Sequence, residues 1–319
     1  MGVILIAGDC YSGEQRLAET LAVTLGYRRI TEEVVVEKAA AGGSSHRELW
    51  MTLRCGPGWR DRFLHKHRRY WIFLQAALAE EIETGWAVCH GVLADFLVQE
   101  KLPAVRIRIK APRGRRVENA LRALALSEEE ADAFLDMQAE VRRRRLRYLY
   151  GREDVDPSAY DLTIDLERMD IEQALAAITA LVAEHPAPSE EQTALHDFVL
   201  ACQVRAALAN DPGTGHLELR AAADGGRVFL EGTLPHPCVA EEVRHVAFLV
   251  PGVTHVNLDG LWLREPEACH IGPPALLPRA PSFRIPKRLA LAAGALAAVL
   301  AVAFYPFARG NTFRGIQTS

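Results

Sequence analysis

The chain has 319 residues, 49% of them hydrophobic and 24% charged, with a formal net charge of −4. That length leaves room for two domains and more, and the slightly acidic balance excludes a general electrostatic case for nucleic acid as a partner. Cys10, Cys55, Cys89, Cys202, Cys238 and Cys269 are dispersed without a CxxC pair, which excludes a disulfide framework and a zinc site, so no metal site is expected.

The first residues, MGVILIAGDCYSG, lack the basic start, long apolar middle and cleavage site of a secretory leader. They read as a short buried strand over 3–7, and a helix over 13–25 follows. A helix over 69–84 precedes a strand over 86–90. A further strand over 105–110 alternates Val105, Ile107 and Ile109 with Arg106, Arg108 and Lys110. Ser127, with Glu130 three residues on, is a capping box that opens a helix. A basic helix over 140–150, a strand over 160–165 and a helix over 171–184 complete the series. Strands separated by helices predict a parallel sheet in an α/β layer fold over 1–183.

Residues 184–194, beginning EHPAPSEEQT, are polar and Pro-rich and read as a linker. Residues 195–263 change pattern. A helix over 195–209 carries Leu195, Val199, Cys202 and Ala206 on one stripe. Strands over 216–221 and 227–231 flank an Asp-Gly-Gly turn, which is a hairpin signal. A helix over 237–249 and a strand over 253–258 make the whole an αββαβ module.

Residues 264–288 are a Pro-rich spacer. Residues 289–308, LALAAGALAAVLAVAFYPFA, carry no charge, and a helix needs about 20 apolar residues to cross the hydrocarbon core. A transmembrane helix is therefore expected there, followed by a short tail over 309–319. Arg279, Arg284, Lys287 and Arg288 precede the span and only Arg309 and Arg314 follow it. The more basic flank stays inside, which predicts a single-pass protein of the inner (cytoplasmic) membrane with the bulk of the chain cytoplasmic.

The stretch with most chemistry runs from Gly8 through Ser12 and Gly13 to Arg16, after a strand and into a helix. Backbone N–H groups cradle phosphate in that context, and Gly8 and Gly13 have P-loop spacing. The motif then wants Lys and a hydroxyl residue, where this chain has Glu14 and Gln15. A bare Gly-x4-Gly also fits an ordinary strand-to-helix turn. The run Arg142 to Arg145, with Arg147, fits a phosphate lid, a solvated helix face or contact with anionic lipid. Arg143 and Arg147, four apart, share one face and are the pair expected to reach a ligand. His65 and His67 have no third ligand nearby and read as surface.

Taken in order, residues 1–183 resemble the cytidylate kinase-like family, a divergent P-loop group. The resemblance rests on Ser12-Gly13 with Arg16, Leu25-Gly26-Tyr27, the stretch Ile30 to Ala40, the strand ending Cys89-His90-Gly91, and Lys110-Ala111-Pro112 with Arg115 and Arg116. The Arg-rich helix leading to Asp156-Pro157 and Tyr160-Asp161-Leu162 completes it. It implies a nucleotide or other phosphate ligand held by Gly8, Ser12, Gly13, Arg16, Arg143 and Arg147, with Mg2+ arriving on the nucleotide. Glu14, and His90-Gly91 in place of the family's Gly-Arg, depart from the pattern and weaken phosphoryl transfer, which depends on cations around the phosphates.

Residues 195–263 resemble a BON domain, through Val204, Ala207, Leu208, Val228 to Thr233, and Pro251 to Asn257. This implies contact with a membrane surface or partner; a packing or dimerisation module is the other reading. The expectation is a membrane-anchored, degenerate nucleoside monophosphate kinase-like protein that binds a nucleotide or phosphate for regulation. The alternatives are an active cytidylate-type kinase and a non-catalytic scaffold.

Overall fold

The computed structural model describes residues 2–55, 65–184 and 189–263. Five strands form one parallel sheet in the order β2-β3-β1-β4-β5. They are β1 (Val3–Gly8), β2 (Arg28–Ile30), β3 (Ala87–His90), β4 (Ala104–Lys110) and β5 (Leu162–Asp165). Sequence patterning missed β2, whose three residues are too few to show alternation.

The central strand β1 is buried on both faces, as a parallel strand covered by helices must be. Its pleat sends Val3, Leu5 and Ala7 to one core and Ile4 and Ile6 to the other. Helices α1 (Glu14–Leu25) and α8 (Ile171–Glu184) cover the second face through Leu17, Leu21, Ala174 and Ile178. Helices α2 (Glu32–Ala41), α3 (His46–Cys55) and α4 (His65–Ile82) cover the first through Val35, Leu49, Leu74 and Leu78.

A short helix α5 (Val92–Asp95) follows β3, and α6 (Arg113–Leu124) follows β4. The Ser127–Glu130 capping box opens α7. That helix is a single rod, Glu128–Tyr150, in which the basic segment expected over 140–150 is the second half.

The second sheet is β6-β7-β8, built from β6 (Leu219–Asp224), β7 (Arg227–Leu234) and β8 (His255–Leu263), with α9 (Ser189–Asn210) and α10 (Val239–Phe248). The element order is αββαβ. The first strand lies three residues later than expected, because the hairpin turn is only Gly225-Gly226. Both have positive φ, 55° and 81°, and Asp224 pairs directly with Arg227. Two consecutive left-handed residues make the turn whose twist suits a two-residue hairpin. β7 and β8 pair in parallel through the α10 crossover.

The residues 189–194, expected as part of a linker, are the opening of α9. The stripe Leu195, Val199, Cys202 and Ala206 does not face the small sheet. Leu195 joins the core of the first sheet, and Val199, Cys202 and Ala206 pack with Ala76 and Ala79 of α4. The small module's own core takes Leu200, Val204 and Leu208 from another side of the same helix. Among the described residues no helix is long and apolar enough to cross a membrane. The expected span 289–308, spacer 264–288 and tail 309–319 lie outside the described residues.

Candidate functional site

The loop between β1 and α1 sits at the carboxyl end of the parallel sheet. There β1 feeds neighbours on both sides, β3 and β4, and ligands of open α/β sheets bind at such a switch point. Gly8 is required by space: a Cβ there would meet Ser12 Oγ at 2.7 Å and the Ile109 carbonyl oxygen at 3.2 Å. Gly13 caps α1 with a φ of 101°, a conformation that side chains oppose. Tyr11 has a positive φ of 61° without being glycine, which costs about 1–3 kcal/mol unless the surroundings enforce it.

Helix α6 enforces it. Asn119 Nδ2 donates to the Tyr11 carbonyl at 3.0 Å, and Arg116 Nε donates to the Cys10 carbonyl at 3.0 Å. The Tyr11 ring packs edge-on to Phe134 of α7, centroids 6.1 Å apart. The Ser12 N–H closes the turn on the Asp9 carbonyl at 3.0 Å. With its carbonyls tied down from α6, the loop leads straight into the N-terminus of α1, where unpaired N–H groups and the helix dipole favour an anion.

Glu14 stands at the lysine position of a P-loop. Ser12 Oγ, itself 1% exposed, donates to Glu14 Oε2 at 2.7 Å. Burial raises the Glu14 carboxyl above the ordinary range, opposed by the Ser12 hydroxyl, the N–H groups of Glu14 and Gly13, and the charge of Arg116. Burial also pushes Cys10 and Tyr11 up to about 12, so both are neutral near pH 7.

The arginines divide differently from expectation. Arg143 is half-exposed and pairs with Glu140 at 2.8 Å, three residues back on its own helix. Arg147 pairs with Glu153. The inward pair is Arg142 and Arg145, three apart on α7. Arg142 grips Asp95 through Nε and Nη2 at 2.9–3.1 Å, and its Nη1 lies 4.0 Å from Asp9 in the loop. Arg145 meets Asp95 at 3.2 Å and donates to the Leu53 carbonyl at 3.2 Å. Arg116 lies 3.7 Å from Asp9. Arg16 is exposed on the first turn of α1. Of the residues expected from sequence, the structure gathers Gly8, Ser12 and Gly13 at the loop; Arg116 and Arg142 supply charge beside it.

Asp95 gave no local signal, because its partners lie about fifty positions away. Arg116 was visible only as one of a group after Lys110-Ala111-Pro112. The spacing that pairs Arg142 with Arg145 is as helical as the spacing that pairs Arg143 with Arg147, and only the fold chooses between them.

Where a P-loop places its metal-holding hydroxyl, Gln15 is exposed and donates to Glu19 at 3.1 Å. Among the described residues no group of three or more His, Cys, Asp or Glu could hold an ion.

A five-stranded parallel sheet with flanking helices and a glycine-bounded loop after its central strand defines a P-loop kinase-like α/β domain. The chain belongs to the cytidylate kinase-like family, whose model matches residues 3–168. No curated protein matches the chain. Among solved structures, an uncharacterized protein from Eubacterium ventriosum is 14% identical, covering 58% of this chain and 100% of its own, with a TM-score of 0.43. Shikimate kinase from Acinetobacter baumannii, in complex with shikimate, is 12% identical over 58% of this chain and 94% of its own, with a TM-score of 0.35. Shikimate kinase from Bacteroides thetaiotaomicron is 11% identical over 57% and 98%, with a TM-score of 0.37. Likenesses of this size carry no functional argument.

Proposed function

We propose that this protein binds a nucleotide or related phosphate ligand for regulation, on a kinase-like domain in which phosphoryl transfer is weakened or lost. The observation that carries the reading is the β1–α1 loop. It is wound by Tyr11 and Gly13 into the N-terminus of α1, tied by Arg116 and Asn119, and has a carboxylate where the transfer reaction needs a cation. Such a loop keeps backbone donors for phosphate. It lacks the lysine that would neutralise charge on a transferring phosphoryl group. Magnesium, on this reading, comes with the nucleotide.

The remaining parts follow from sequence. The segment 289–308 anchors the chain in the inner membrane with its bulk in the cytoplasm, and the αββαβ module, similar to a BON domain, contacts the membrane surface or a partner. Both extend the regulatory reading, since a ligand-binding domain held at a membrane reports there.

The test is calorimetric titration of the full-length protein with ATP, CTP and CMP, with and without magnesium, followed by a turnover assay. We expect micromolar binding without turnover. Arg116→Ala should weaken it about tenfold, the effect of losing one charge-assisted contact of about 1.5 kcal/mol. Arg143→Ala, which removes only a surface pair, should change it less than twofold. Turnover would make the protein an active cytidylate-type kinase. No binding by the folded protein would leave a scaffold.

A further inference from the structure

We propose that the Glu14 carboxylate is an internal ligand of the phosphate loop, a side chain that holds the place of a phosphate and must withdraw before one enters. The inference rests on the nucleotide-binding reading above and adds a regulatory device to it.

The geometry is specific. Glu14 is the first residue of α1, immediately after Gly13. Its side chain turns back on the loop, where Ser12 Oγ donates to Oε2 at 2.7 Å. Ser12 is 1% exposed, so this hydroxyl has no water to fall back on and its donor is spent on the carboxylate. Gly8 leaves room for that hydroxyl, since a Cβ there would lie 2.7 Å from the same Ser12 oxygen. Burial pushes the Glu14 carboxyl up, and the Ser12 hydroxyl, the N–H groups of Glu14 and Gly13 and the charge of Arg116 oppose that rise. A carboxylate held by a buried hydroxyl at the start of α1 stands where a phosphate would be placed in the same loop.

An intramolecular occupant competes without diffusing. The apparent affinity for an external phosphate falls by the fraction of molecules in which the carboxylate has left. A second anion cannot share the loop with the first, because like charges at that distance repel. The loop is therefore self-limited: it answers only to ligands that displace Glu14, or to conditions that neutralise it.

The experiment compares Mg·ATP binding by the full-length wild type, Glu14→Gln and Glu14→Ala, with circular dichroism as the check on folding. Gln keeps the size and an acceptor for Ser12 but carries no charge; Ala empties the place and carries the test should Gln disturb the loop. Both variants are expected to bind at least tenfold more tightly than wild type. Wild-type binding equal to or tighter than both folded variants would overturn the internal ligand while leaving the nucleotide-binding reading in place. Absence of binding by all three, folded, would overturn that reading and this inference with it.

Discussion

Glu14 is the residue on which the site turns, and its titration has a calculable sign. Burial holds its carboxyl above the ordinary value, so it takes up a proton at a higher pH than a free glutamate does. Glu32, raised by burial as well and acting on Cys10 together with Glu14, titrates from the same side, so the comparison with Glu14→Gln isolates the step. Cys10 and Tyr11, beside it in the loop, are pushed up to about 12 and stay neutral. Arg116 faces the loop from α6, and Arg142 approaches Asp9 from α7. Protonation removes the internal anion, so phosphate affinity should increase as pH falls through the Glu14 pKa and decrease as it rises. Titrations of wild type and Glu14→Gln with Mg·ATP at several pH values check this. The wild type should show an extra acid-side gain that the variant lacks, over and above the ligand's own protonation. Parallel profiles would mean that Glu14 is not the competing group. Sequence alone exposes the odd identity of Glu14 at the lysine position. It does not expose the direction of the side chain, which depends on the Ser12 hydroxyl and on how α6 pins the loop carbonyls.

At the scale of elements, α7 is fixed to the sheet by one buried acid. Asp95, on α5, is 2% exposed and is met by Arg142 and Arg145, while its own carbonyl accepts from Tyr150 Oη at 2.9 Å. Two guanidiniums meet on this one carboxylate. Removing it leaves Arg145, also buried at 6% exposure, without its paired carboxylate. Asp95→Ala should therefore lose about 3–5 kcal/mol in urea unfolding, with the slope of the transition unchanged. A loss near that of an exposed pair, about 0–1 kcal/mol, would show that α7 is held by packing alone. Elements were read from sequence where a local rule governed them. The Ser127–Glu130 box opened α7 as expected, and Val105, Ile107 and Ile109 alternate into the core from β4. The inward arginines depend on distant partners. The arginine run was assigned to its outward face because Asp95, the group that selects the inward one, comes from another part of the chain.

At the scale of the described molecule, the sheets are joined through one helix that serves two cores. Helix α9 gives Leu200, Val204 and Leu208 to the small module and Val199 and Cys202 to α4, where they meet Ala76 and Ala79. A helix apolar on more than one side is a helix buried between partners, and the stripe legible in the sequence is the face that docks on α4. Polar contacts extend the seam. Arg205 donates to Gln75 at 2.8 Å, Gln192 donates to the Glu83 carbonyl at 3.0 Å, and Arg68 donates to the Leu217 carbonyl at 2.6 Å. With its inner surface buried and its rim bonded, this seam should make residues 2–263 unfold in one calorimetric transition. Ala79 is the place to break it, being 0% exposed with Val199 and Cys202 against it. Ala79→Arg would force a charge into that apolar contact, at a cost of several kcal/mol, more than a docked helix can absorb. The seam should then open and the single transition split in two, with the small module melting apart from the kinase-like domain. A single transition merely shifted downward would mean that α9 belongs inseparably to both cores. In that case a signal entering at the phosphate loop and one entering at the small sheet would act on the same cooperative unit.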